Sequence, residues 1–315
     1  MLKDVQVSRC HAFAEGSFSN LRTQFRAYFA FCVYFGRKPL PADSDTIYAY
    51  AQFLSRSILP ASVRNYLSGV RTLHIFLGLP YVHADDFLLQ LELRGISRLH
   101  PHVPIRAKSV TPKILLLFHS LMDDTSLHRA VWSCSLVLFY TMARLGSILP
   151  AKRSSPTNKF LTKDRINFCK EGLLVTLLHT KTIQFGRRRL HIPLIKVDSL
   201  LCPVAAFART SASFHHISHV PAFVFLDKGK IQWLTTSIFI RTFRAIMAAG
   251  GQSALDFSGH SFRRGGATWA FQSGMPGELI QICGDWASDA YTRYLEFSTQ
   301  NKLELAALLT RNLPC

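Results

Sequence analysis

The residues of this chain best suited to chemistry are a histidine, a pair of arginines, a tryptophan and two tyrosines near its carboxy-terminal end. Gly259-His260-Ser261-Phe262-Arg263-Arg264-Gly265-Gly266 is followed by Gly284-Asp285-Trp286 and then by Tyr291 and Tyr294. His260 and Arg263 stand at i and i+3, which places both on one face of a helix. The tryptophan and the tyrosines fall on the short helices expected next. Together they offer a proton carrier, a fixed cation and a phenol, a set fit for nucleophilic attack at an anionic centre.

The charge balance says which anion to consider. The chain of 315 residues carries 37 Lys/Arg against 19 Asp/Glu, a formal net charge of +18 with a pI near 10.0. A chain so basic meets an anionic partner, and nucleic acid is the leading candidate. A membrane surface fits less well, because the basic residues are spread through a globular pattern rather than gathered on one amphipathic helix. Residues 1–107 carry a net +5 and residues 108–315 a net +13. Within the second part, Arg144 to Arg189 holds 11 basic residues and 2 acidic ones. The positive field therefore centres upstream of the His260 stretch, and two more candidates, Arg144 and Lys181, lie inside it.

Breaking a DNA phosphodiester without hydrolysing it needs all of these parts. The non-bridging oxygens gain charge as phosphorus becomes five-coordinate, so fixed cations must stand ready. Arginine suits this, since its fork matches phosphate oxygens and keeps its proton. A tyrosine phenolate attacks in line and stores the bond as a phosphotyrosine ester. The phenol, with a pKa of about 10, needs a base, and the leaving 5′-hydroxyl needs an acid. His and Lys can fill those roles.

These residues, in this order, resemble the signature of the tyrosine recombinases. Arg144, in Ala143-Arg144-Leu145-Gly146, resembles the first catalytic arginine, and Lys181, in His179-Thr180-Lys181-Thr182, the lysine on a sheet turn that protonates the leaving oxygen. His260 and Arg263 match the H-x-x-R box. Trp286 stands where the family has His or Trp after a Gly, and Tyr294-Leu295, eight residues later, matches the nucleophile. Tyr291 competes with Tyr294, since the two are i and i+3; the spacing from Trp286 favours Tyr294. The resemblance implies a site-specific recombinase that forms a covalent 3′-phosphotyrosine, acting on double-stranded DNA as a dimer on each site and a tetramer in synapse, with no metal or other cofactor. Two alternatives stay open, a type IB topoisomerase-like enzyme and a domesticated DNA-binding protein that does not cleave.

The elements that must position these residues are mainly α-helical, with a small antiparallel β-sheet. Helices are expected from Leu21 to Phe35, from Ser44 to Leu54, from Pro60 to Leu77 with Val63, Leu67, Val70 and Leu77 inward, and over His83–Leu99 with Phe87, Leu88 and Leu91 inward. These make a bundle of four, similar to the family's core-binding domain. On the third, Arg64 and Arg71 line a neighbouring stripe and are candidate DNA contacts. The extended segment Pro101 to Ala107 marks a boundary, giving a helical domain of 1–103 and a mixed α/β catalytic domain of 104–315. In the second domain, apolar helices at 112–122 and 126–143 lead to Arg144. Short β-runs follow at Arg165–Phe168, Leu173–Leu178 and Arg189–Pro193, whose connection carries Lys181 and two further candidate DNA contacts, Arg187 and Arg188. Then come a helix at Pro203–Ser213, a hairpin around Asp227-Lys228-Gly229, a helix at Ser237–Ala249, and helices to the end. The last, Asn301–Asn312, carries a leucine stripe that either packs at home or docks on an adjacent protomer.

Two departures from the family stand out. Ser147 occupies a position that is commonly acidic, and Arg264, also a candidate DNA contact, stands where many members have a small or polar residue. The Lys181–Arg187 turn and the Gly259–Gly266 box look most like recombinases of DIRS-like and crypton mobile elements. That implies integration or excision of an element, with residence in the nucleus if the host is eukaryotic and inside the cell otherwise. The seven cysteines, odd in number and never in CxxC spacing, fit a reduced compartment. No secretory signal is visible, and the longest uncharged run, Ala130–Ala143, is short of the ~20 residues that span a bilayer.

Overall fold

The computed structural model describes residues 2–13, 15–81, 86–102, 106–183, 188–214 and 220–295, with Leu303, Ala306 and Ala307. The chain is mainly α-helical with small antiparallel sheets and separates into two compact units, Met1–Ile105 and Arg106–Cys315.

Among its described residues the first unit holds five helices: α1 (Leu2–His11), α2 (Glu15–Tyr34), α3 (Ser44–Ser55), α4 (Pro60–Leu77) and α5 (Phe87–Leu99). The sequence pattern predicts four and misses α1, a largely polar segment without an apolar stripe to mark it. Local signals set the ends of the others. Asp43 caps α3 by accepting from Thr46 N at 2.7 Å, Pro60 opens α4, and Gly78 closes it in the left-handed region. The core gathers Tyr28, Phe31, Ile47, Tyr50, Val63 and Val70 with Leu89, Leu93 and Ile96 of α5. The expected inward face of α5 is thus wrong. Phe87 is 67% exposed and Leu88 and Leu91 are also exposed, because α5 is apolar on two stripes and packing chose the other. Leu77 and Phe35 are exposed as well, at the ends of their helices. His74 is a buried structural histidine; its Nε2 accepts from Ala42 N at 2.9 Å and its Nδ1 lies 2.8 Å from Val70 O.

The second unit is built around α7 (Ser126–Thr141), in which every residue from Ala130 to Phe139 is buried. Around it lie α6 (Pro112–Ser120), α9 (Pro203–Ser211), α10 (Thr236–Ala249), α11 (Gly259–Gln272) and the hairpin of β4 (Val224–Asp227) and β5 (Lys230–Trp233). The three-stranded sheet has the order β1 (Ile166–Phe168), β2 (Gly172–Leu177), β3 (Leu190–Ile195), all antiparallel, with Thr176 opposite His191 and Leu177 opposite Leu190. Leu190, Ile192 and Leu194 point inward in strict alternation. These elements match the expected ones to within a few residues. The unit also contains two short elements, α8 (Leu145–Ile148) and α12 (Gly277–Cys283), and several 3₁₀ segments, one of them over Asp289–Tyr294. Arg187 and the leucine stripe of 301–312 fall outside the described residues, apart from Leu303.

Two glycines explain how α11 reaches its place. A Cβ on Gly266 would lie 2.0 Å from the Phe139 carbonyl oxygen, and one on Gly265 1.9 Å from that of Val110. The helix backbone therefore lies directly on α7 and on the strand-like segment that Val110 N ties to Ser261 O at 3.0 Å. Since backbone cannot give way as a flexible side chain does, Gly266→Ala should cost about 1–3 kcal/mol. Thermal unfolding should then shift down by about 2–4 °C per kcal/mol. Gly146→Ala, in α8 with nothing within 4 Å of its Cβ, should leave the melting temperature unchanged.

Candidate active site

Each candidate side chain is delivered by a different local device. Helix α7 ends at Met142, a non-glycine residue in the left-handed region (φ 50, ψ 22), so the chain turns sharply there. Arg144 follows as the N-cap of α8, and Ser147 N donates back to Arg144 O at 2.8 Å. The start of α11 is set by a capping box in which Ser258 N donates to Ser261 Oγ at 2.9 Å. That fixes His260 in the first turn and Arg263 one turn on.

Arg263 is the centre of the site and only 1% exposed. Its Nη1 donates to the carbonyls of Met142 and Gly284, the latter at 2.7 Å. Trp286 lies on its guanidinium, 3.5 Å from Cζ to the ring centroid, and Tyr294 lies at 5.7 Å. Its Nε and Nη2, with Nε1 of Trp286, are buried and make no well-formed hydrogen bond among the described residues, although the Tyr294 hydroxyl is near enough to the guanidinium to raise its pKa. Burial and then the charge of Arg144 pull its pKa below the ordinary arginine value, and Tyr294 and Asp285 pull it back. Unsatisfied buried donors of this kind are costly. An anion set against them would remove that cost.

His260 lies at the mouth of the site, with its ring centroid 6.4 Å from that of Tyr294. Partial desolvation, then the charges of Arg263, Arg144, Arg264 and Lys181, push its pKa below the usual histidine value. At neutral pH it is therefore the uncharged base, able to accept a proton. Four of the sequence's candidate cations thus act on it electrostatically.

The two tyrosines are separated by the fold. Thr268 Oγ1, further along α11, donates to Tyr294 O at 3.0 Å, and the Tyr294 ring sits 5.5 Å from that of Trp286. Tyr291 packs on Trp286 as well, at 6.3 Å, but its hydroxyl lies beside the start of α12, 2.3 Å from where a Cβ on Gly277 would be. Tyr294 is thus the phenol gathered with His260 and Arg263.

Lys181 is exposed on the turn after β2. Thr180 N donates to Ile183 O at 3.0 Å, and Thr180 Oγ1 accepts from Ile183 N at 2.9 Å and from Thr182 N at 3.2 Å. Ser147 faces a cavity that also holds a carboxylate. Ser147, Arg144, Arg263, Thr180 and Asp285 line one small cavity of about 10 Å³, about the space of one water. Asp285 accepts hydrogen bonds from Thr180, Thr182 and Arg188. No role for Asp285 follows from the sequence. The one local hint is an aspartate between Gly and Trp, a residue type that tolerates the positive φ (56) it adopts.

The remaining candidates have partners within their own units. Arg188 pairs with Asp285, and Arg264 Nη1 donates to Ala107 O. In the first unit, exposed Arg64 and Arg71 border a groove of about 170 Å³ between α4 and α5, where Arg64 Nη1 donates to Gln90 Oε1 at 3.2 Å. Among the described residues no His/Cys/Asp/Glu group could hold a metal ion, and no helix is long and apolar enough to cross a membrane.

No family model and no curated protein sequence matches the chain. Solved structures do. The Tn1549 transposon integrase in complex with circular intermediate DNA is similar over 97% of both chains, with a TM-score of 0.61 at 12% identity. Lambda integrase, as a dimer bound to a COC′ core site, is similar over 94% of both chains, at 0.58 and 14%. XerH site-specific recombinase bound to palindromic difH substrate is similar over 91% of this chain and 77% of that one, at 0.59 and 13%. The chain has the fold of the tyrosine recombinases and integrases, along its whole length.

Proposed function

We propose that the protein is a tyrosine recombinase that cuts and rejoins DNA through a covalent 3′-phosphotyrosine. The observation that carries this is the cluster of buried donor nitrogens, two on Arg263 and one on Trp286, that make no well-formed hydrogen bond among the described residues, set beside Arg144 and facing Tyr294. Those donors suit the non-bridging oxygens of a phosphodiester whose charge rises in the transition state. His260, uncharged at neutral pH, takes the phenol proton. Tyr294 Oη forms a bond to phosphorus, the bond to the 5′ oxygen breaks with its electron pair leaving on that oxygen, and Lys181 supplies the proton. One phosphoester replaces another, so the step stores its energy and runs backward to rejoin the strand.

The fold it shares with a transposon integrase and the resemblance to DIRS-like and crypton enzymes support a role in integrating or excising a mobile element, with residence in the nucleus of a eukaryotic host. Association on DNA, as a dimer on each site and a tetramer in synapse, follows from the same chemistry, which exchanges strands between two duplexes. Exposed Arg64 and Arg71 in the first unit are suited to hold the backbone.

The test is a pool of nicked duplexes of randomised sequence, in which the short fragment beyond the nick diffuses away after cleavage. Wild-type protein should give an adduct that survives denaturing electrophoresis, with a free 5′-hydroxyl on the released strand. Absence of any adduct across the pool would overturn the proposal.

A further inference from the structure

Asp285 is a buried carboxylate, 4% exposed, held at a backbone angle that a side chain rarely adopts. Burying a carboxylate costs several kcal/mol unless donors surround it. Here the donors come from one place. The hydroxyls of Thr180 and Thr182, the two neighbours of Lys181, both donate to Oδ2, and Arg188, just before β3, donates to Oδ1. Thr180 Oγ1 already accepts from Thr182 N and Ile183 N, so its proton is committed to the carboxylate. Both residues flanking Lys181 are therefore gripped by one side chain.

The neighbours of Asp285 face the other way. Gly284 O accepts from Arg263 Nη1 at 2.7 Å, and Trp286 covers the Arg263 guanidinium at 3.5 Å. The turn is tight enough that a Cβ on Gly284 would lie 1.6 Å from the Trp286 ring. Three consecutive residues thus join the phosphate-facing arginine, the lysine turn and the segment leading to Tyr294.

We propose that Asp285 is a positioning residue that locks the Lys181 turn onto the Gly284–Trp286 segment, so that leaving-group proton and phosphate clamp are presented together. This rests on the recombinase function proposed above. An ionised aspartate serves all three donors, whereas an asparagine would turn an NH2 group toward one of them.

The test uses a bridging 5′ sulfur at the scissile phosphate of the sequence recovered from the randomised pool. A thiolate leaves without a proton, since a thiol has a pKa of only about 8.5. Adduct formation is timed for wild type, Lys181→Ala, Asp285→Asn and Thr182→Val on the oxygen and sulfur substrates. General acid catalysis contributes about 10²–10⁴-fold, so Asp285→Asn should slow the oxygen substrate by roughly 10- to 100-fold, part of the Lys181→Ala defect. On the sulfur substrate, Lys181→Ala and Asp285→Asn should both return to near the wild-type rate. Thr182→Val, which removes one donor from the exposed side of the turn, should show a smaller defect with the same rescue, and keeps the test open if Asp285→Asn fails to fold. A wild-type rate for both Asp285→Asn and Thr182→Val on oxygen would overturn the proposal. So would defects that sulfur leaves in place while it rescues Lys181→Ala. If sulfur does not rescue Lys181→Ala, the lysine is not the donor and the lock has no such purpose. Wild type forming no adduct on either substrate would instead remove the recombinase function itself.

Discussion

Tyr294→Phe should abolish the covalent protein–DNA adduct, while Tyr291→Phe should keep it. The phenylalanine retains the ring at 5.5 Å from Trp286 and 5.7 Å from the Arg263 guanidinium, and Thr268 still holds the backbone carbonyl. Fold and DNA affinity are therefore preserved, and only the attacking oxygen is lost. A covalent product cannot form without its nucleophile. At Tyr291 the lost hydroxyl borders Gly277, away from His260, so the expected change is within about 1 kcal/mol of stability. Denaturing electrophoresis after incubation with the nicked substrate decides the matter. An adduct that survives Tyr294→Phe and disappears in Tyr291→Phe would move the nucleophile.

Arg263→Lys should slow adduct formation by about 10²- to 10³-fold, the usual cost of one preorganised donor at a developing negative charge. Lysine keeps the charge and loses the fork. In the native site Nη1 is spent on Met142 O and Gly284 O, which leaves Nε and Nη2 as the donors that the proposed reaction assigns to the phosphate. A single ammonium cannot do both jobs. It also gives up the close stacking of a planar cation on Trp286, and melting should fall by several degrees along with the rate. Single-turnover cleavage with saturating DNA separates the rate effect from binding. A Lys variant that cleaves at the wild-type rate would show that Arg263 is structural only.

Helix periodicity, capping residues and glycine or proline stops placed α3, α4, α6, α7, β1 to β3, α9 and α10 within a few residues, because each signal acts over one or two turns. Periodicity cannot choose between two apolar stripes on one helix, and so α5 buries Leu89, Leu93 and Ile96 rather than Phe87 and Leu91. Helix α1 has no stripe to find. The candidate site was legible as a set of residue types in order, Arg144, Lys181, His260, Arg263, Trp286 and Tyr294, and the fold brings Arg144, His260, Arg263, Trp286 and Tyr294 together, with the Lys181 charge reaching His260.

The sequence by itself determined which reactive groups are present and in what order, since a charge of +18 and a phenol, two guanidiniums, an imidazole and an ammonium depend only on composition and order. Only the tertiary structure decided which tyrosine lies beside His260, that Arg188 and Arg264 are engaged by Asp285 and Ala107, and that a carboxylate at 285 lies on the cavity wall that Ser147 leaves without one. Each of those outcomes joins segments far apart in the chain. The place of Arg263 and Arg264 among them depends on how closely α11 lies on α7 at Gly266 and on the Val110 segment at Gly265, which no local periodicity encodes.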